Sequence, residues 1–159
     1  MQPTEPSPPP AKVGGRRILA GGLFGVAAAA LVNETLRRLV LETVAIPADF
    51  EPLRSGSVIL LTVVGGAAAT AAFLFVDRVA RRPWKVYKVV AFGALLVSFI
   101  PDYLLLVSRA PGANAKTVGI LASLHIVAFL VIMAAFGSAV GWKRPLPPEP
   151  IAAKPSRPA

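Results

Sequence analysis

The chain has 159 residues, 55% of them hydrophobic, with a mean hydropathy of +0.64, a formal net charge of +9 and no cysteine. The missing cysteine excludes disulfides, thiolate metal sites and cysteine nucleophiles, and the apolar share exceeds that of an average soluble domain. The cations cluster at the ends of long apolar runs, which directs the charge at a membrane surface and away from nucleic acid.

Met1–Gly15 holds five prolines and little apolar surface beyond Val13, so it is predicted to be a disordered tail. Arg16–Arg17 opens the apolar run Ile18–Val32. Fifteen residues make only ~22 Å of helix against a hydrocarbon core of ~30 Å. The helix is therefore expected to continue through Asn33, Glu34 and Thr35 to Arg37–Arg38, a span of about 17–38. Leu36, Leu39, Val40, Thr43 and Val44 then keep the spacing of a helix end lying on the membrane surface. Glu34 and Arg38, four residues apart, can pair. Arg16–Ala30 also reads as a cleavable signal, and the arginine pair hints at a twin-arginine type; cleavage would leave three spans.

Ile46–Ser57, with Pro47, Pro52 and Gly56, reads as a connecting loop. The second span, 58–76, has only Thr62 and Thr70 as polar side chains, and carries Gly65-Gly66 among alanines. Asp77–Lys88 follows, a basic hinge with Arg78, Arg81, Arg82, Lys85 and Lys88 against one acid. Short loops this rich in Lys and Arg stay cytoplasmic, and their cations contact lipid headgroups. Pro83 suits the turn, and Trp84 and Tyr87 are expected at headgroup level. The third span, 86–107, is interrupted by Lys88, Ser98, Pro101 and Asp102. After an outer turn at Ser108–Lys116 comes the fourth span, 118–140, with Ser123, His125 and Ser138. Trp142, Lys143 and Arg144 would anchor its inner end, and a Pro-rich tail with RPLPPEP closes the chain as a second disordered segment.

Small residues recur four apart at Gly21, Gly25 and Ala29 and at Gly137 and Gly141, a spacing that serves either a dimer face or packing within one bundle. With both termini inside, twelve of the 17 cations fall on the cytoplasmic side and five outside. The expectation is an all-α, four-helix integral membrane bundle in the cell membrane.

The hinge RRPWKVYKVVAF, SFIPD on the third span and ILASLHIVAF on the fourth resemble an uncharacterised family of small four-span membrane proteins. That family is bacterial, mostly actinobacterial, and is classed as a domain of unknown function. The resemblance runs over roughly Arg16–Val140 and is carried by Arg81–Pro83, Ser98–Pro101 and Leu124-His125. Where the family pattern has a small residue or a second proline after Pro101, this chain has Asp102. The resemblance implies the architecture and no activity, substrate or cofactor.

Ionisable groups inside spans are costly and mark candidate sites. Glu34, Asp102 and His125 all fall ~7–10 Å below the outer boundary at ~1.5 Å per residue. They form a candidate outward-facing pocket for a ligand or a proton, with Pro101 freeing the Val97 carbonyl and Ser98 beside it. The bland alternative pairs Glu34 with Arg38, leaves Asp102 to interfacial water and bonds His125 to a neighbouring helix. A lone histidine does not make a haem or metal site, and no cofactor is expected. Nor is there a nucleophile–base pair, a metal-ligand cluster or a phosphate loop, so no enzyme is expected. The leading expectation is a non-enzymatic accessory or interaction subunit, acting with a membrane-protein partner or as a homo-oligomer. The alternative is a small transporter or ligand-binding protein that uses the polar cluster.

Overall fold

A computed structural model describes residues 12–141, which form four helices and no strand. They are α1 (Gly15–Thr43), α2 (Ser55–Val79), α3 (Pro83–Val107) and α4 (Ala115–Gly141), with a single 3-10 turn at Glu51–Leu53. All four are long and apolar enough to cross a membrane. The protein is an all-α bundle and a multi-pass membrane protein. Trp142, Lys143, Arg144, the RPLPPEP segment and the first eleven residues lie outside the described residues.

Helix α1 is the pillar. Its most extensive contacts are with α4 and then with α2, whereas α2 and α4 barely touch. Ile18, Gly22, Gly25, Ala29 and Asn33 are its buried residues, at steps of four, three, four and four that keep them on one stripe. A side chain at Gly25 would meet Ala135 Cβ at 3.0 Å, and one at Gly21 would meet Ala139 Cβ at the same distance. On the other side Gly22 abuts Thr70, and Gly66 abuts Val26. The small residues of α1 thus serve packing within the bundle. On α4 the partners are Ala135 and Ala139; Gly137 only approaches Trp84, and Gly141 meets nothing within 4 Å.

The ends of the helices are held by specific bonds. Asp77 is more than a hinge acid: its carboxylate accepts from the backbone N–H of Val13 (2.9 Å) and Gly14 (3.4 Å), at the start of α1. A negative group there also opposes the positive end of the helix dipole. Lys12 Nζ donates to the Arg78 carbonyl, so residues 12–14 are bound to the end of α2 and do not belong to a disordered tail. Between α2 and α3 only Ala80–Arg82 is non-helical, with Pro83 opening α3, a position where its missing N–H is harmless. Asn114 caps α4 by accepting from the N–H of Lys116 and Thr117, both at 3.0 Å, while Thr117 Oγ1 accepts from the N–H of Asn114.

Two apolar clusters fill the bundle. At the hinge end Tyr87 stacks on Phe73 (4.3 Å between centroids), and both meet Phe136 edge-on. Tyr87 is 1% exposed, so it is a core residue; of the two aromatics placed at headgroup level, only the partly exposed Trp84 remains near the surface. At the opposite end Phe50 and Leu53 fold in from the α1–α2 connection onto Val58, Leu121 and Leu124. That connection is therefore a packed cap rather than a plain loop. Gly112, at φ +71°, lies so close to it that an added Cβ would sit 2.8 Å from Phe50 Cβ.

Helix α3 is the loosest member, with few buried residues and an outward row that includes Val89, Phe92, Leu96, Ile100 and Tyr103. The glycine contacts predict a sharp contrast. Gly25→Leu should lower stability in detergent by about 1–3 kcal/mol, as overpacking does. Gly93→Ala, where nothing lies within 4 Å, should be neutral or slightly stabilising. Thermal unfolding of the two purified variants checks this.

Candidate functional site

Because α3 stands off, a crevice of about 430 Å³ remains between α2, α3 and α4, with one residue of α1 at its back. Its walls are apolar, with small residues such as Gly65, Ala68 and Ala72 from α2 and Ala91 and Ala94 from α3 set among larger ones such as Leu61, Leu95 and Phe129. Along α2 it runs from Val58 to Ala72, ~21 Å at ~1.5 Å per residue. Pro52 borders one end and Tyr87 the other. A cleft of this size suits a small ligand, and its scale matches the usual range of ~300–1,000 Å³ for such sites.

Besides Tyr87 at its end, four polar side chains interrupt the apolar lining: Asn33, Thr62, Ser98 and His125. Asn33 is 2% exposed, and its Nδ2 donates to Thr62 Oγ1 at 3.1 Å. Its Oδ1 is buried and has no hydrogen-bond partner. An orphaned buried amide oxygen costs about 1–3 kcal/mol unless something supplies a hydrogen. Ser98 Oγ donates to the Leu95 carbonyl at 2.7 Å, not to the Val97 carbonyl that Pro101 leaves free.

The three ionisable candidates separate into two sites. Asp102 on α3 and His125 on α4 come together, with Nδ1 at 3.2 Å from Oδ2. Nδ1 also lies 3.1 Å from the Leu121 carbonyl, which can only accept, so the ring carries a hydrogen on Nδ1. Asp102 is 4% exposed and its Oδ2 has no aligned hydrogen bond, so the pair is a close electrostatic contact across the α3–α4 seam. His125 reaches the crevice; Asp102 stands behind it and is not part of the lining.

Glu34 belongs elsewhere. Its two carboxylate oxygens bond Arg37 (2.7 and 2.8 Å) and Arg38 (2.9 Å) on the same helix, and Arg37 donates on to the Leu53 carbonyl. The three-way proton relay is thus replaced by an Asp102–His125 pair and a separate Glu34 cluster, in which Arg37 joins the foreseen Arg38. Depth agreed but rotation did not: Glu34 follows Asn33 directly, and one step turns a helix by ~100°. The residue at the crevice is Asn33, and the stripe through Gly22, Gly25 and Ala29 was the signal that leads to it.

Arg78, Arg81, Arg82, Lys85 and Lys88 all face outward at the hinge, where Lys88 Nζ lies 5.9 Å over the Trp84 ring. Among the described residues, no three of His, Asp and Glu converge as metal ligands would.

The pairing gives a testable contrast. In a double-mutant cycle with alanine, Asp102 and His125 should show a coupling of about 0.5–3 kcal/mol, whereas Glu34 and His125 should be additive within about 0.5 kcal/mol. Unfolding in mild detergent measures both.

No curated protein and no solved structure matches the chain. A family model does, over residues 10–141, which takes in all four helices. The chain belongs to a family of unknown function, DUF6069.

Proposed function

We propose that this protein is a non-enzymatic membrane protein that binds a small amphipathic molecule dissolved in the bilayer. One observation carries the reading: an apolar crevice whose lining is broken by the polar side chains of Asn33, Thr62, Ser98 and His125. A purely structural gap would be expected to stay apolar and dry. Asn33, Thr62, Ser98 and His125 orient the guest by its polar part, and the alanine-rich walls hold the rest. Asp102 positions His125 from behind. In this reading binding serves storage, sensing or transfer of the guest. Full alternating access would need more than one four-helix unit.

An accessory-subunit role has its own support. Gly65 and Gly93 meet nothing within 4 Å, and Gly65 lines the same crevice, so a partner's transmembrane helix could seat there. Filling the crevice separates the two. Ala94→Trp should abolish retention of a co-purified amphiphile seen by native mass spectrometry of the wild-type protein. If the wild type instead carries a stoichiometric protein that Ala94→Trp releases, the accessory reading replaces the first.

The same reading places the chain in the plasma membrane with both termini cytoplasmic, supported by the five outward cations at the hinge. Retention of the first helix belongs to the same reading and is supported by Ile18, Gly25 and Ala29, which supply part of the core. With no native cysteine to interfere, Lys85→Cys should resist an impermeant thiol reagent in intact cells and react after lysis. Labelling in intact cells would reverse the orientation.

A further inference from the structure

We infer that Asp102 and His125 hold a proton between them, and that its loss opens the crevice at the end His125 borders. As a control on binding this rests on the reading above, but the opening itself needs no guest. The pair joins the loosest helix to α4. Asp102 is 4% exposed, and its Oδ2, which has no hydrogen bond, faces His125 Nδ1 at 3.2 Å. Nδ1 also meets the Leu121 carbonyl at 3.1 Å. Turning the ring over would set a carbon against both oxygens, so the nitrogen belongs there. Groups this close titrate as a unit. With one exchangeable proton, the pair is carboxylate and imidazolium or carboxylic acid and neutral ring, and neither form has a net charge. Once that proton leaves, a lone carboxylate is buried beside a neutral ring, the state a low-dielectric seam tolerates least. A second proton instead charges only the ring, whose side chain is 32% exposed against 6% for Asp102.

No other cation takes the place of the ring. His125 is the one charged group acting on Asp102 among the described residues. On α1, Glu34 is tied to Arg37 and Arg38, and in the cap Glu51 pairs with Arg54. Helix α2 has no ionisable side chain from Val58 to Val76. On α3, Tyr103 is 64% exposed, and Lys85, Tyr87 and Lys88 stand at the hinge end. On α4 the other charge is Lys116, exposed in the first turn.

The crevice feels this contact through α3. Leu95 and Ser98, two of its wall residues, lie seven and four positions before Asp102 on the same face. Pro101 sits inside α3 and removes a helical hydrogen bond, which gives a bend point beside the pair. This end of α3 can therefore leave α4 while Tyr87 stays stacked on Phe73. Water then reaches the carboxylate, and the gap between Ser98 and His125 widens.

The absence of native cysteine permits a direct test in mild detergent with the full chain. Ala128→Cys places a thiol in the crevice wall, and Val89→Cys places one on the outward face of α3, at a position 74% exposed. Each is labelled with a neutral maleimide, and the ratio of the two rates removes the effect of pH on the thiol itself. Between about pH 5 and about pH 9 the ratio should rise about tenfold. In an Asp102→Asn background, which keeps the side chain's shape and removes its charge, the ratio should stay within about twofold. A flat ratio with Asp102 present, or an undiminished rise in Asp102→Asn, overturns the switch. The first profile decides even if Asp102→Asn does not fold. No guest is present, so a flat ratio leaves the ligand-binding reading to its own test with Ala94→Trp.

Discussion

The bundle depends on how closely α1 can approach two neighbours at once. In a bilayer the apolar effect does not drive helices together, so association rests on contact between backbones and on a few polar bonds. Gly21 and Gly25 admit α4, while Gly22 against Thr70 and Gly66 against Val26 admit α2. With both partners drawn onto one pillar, α2 and α4 stay apart, and the space between them falls to α3. That helix is held by the aromatic cluster around Tyr87 and by the Asp102–His125 contact. The crevice follows from this unequal packing: two tight seams on one side of the bundle leave a slack one on the other.

The polar residues divide the same way. Groups at the rim are satisfied locally, as Glu34 is by Arg37 and Arg38 and as Asn114 is by the first turn of α4. The unsatisfied acceptors, Asn33 Oδ1 and Asp102 Oδ2, lie deeper, one on a residue that borders the slack region and the other behind His125 at its edge. Strain of this kind tends to collect where a protein meets something else. The carboxylate behind His125 and the amide opposite Thr62 give the cleft an electrostatic grain that its alanine walls lack.

Much of the architecture was legible because its signals are one-dimensional. Four apolar runs, a basic turn with Pro83 and an interruption at Pro101 need only length and order to interpret. Depth along a helix was legible for the same reason. Rotation was not: Asn33 and Glu34 are neighbours in sequence and part company in space because each step turns the helix. Tyr87 was misplaced because an aromatic near a span end can face headgroups or core, and only the presence of Phe73 and Phe136 decides. The packed cap at Phe50 and Leu53 was invisible because it depends on a second loop, around Gly112, meeting the first.

The carboxylate of Asp77, bonded to amides 63 and 64 residues earlier, has a bearing on how the protein is made. A ribosome delivers the first helix to the membrane well before that acid exists, so its leading turn begins life with bare N–H groups. Only when the second helix is nearly finished does the cap arrive, and the main seam of the pillar must wait for the fourth. Biogenesis is thus a matter of keeping an unfinished helix in lipid until its partners have been synthesised.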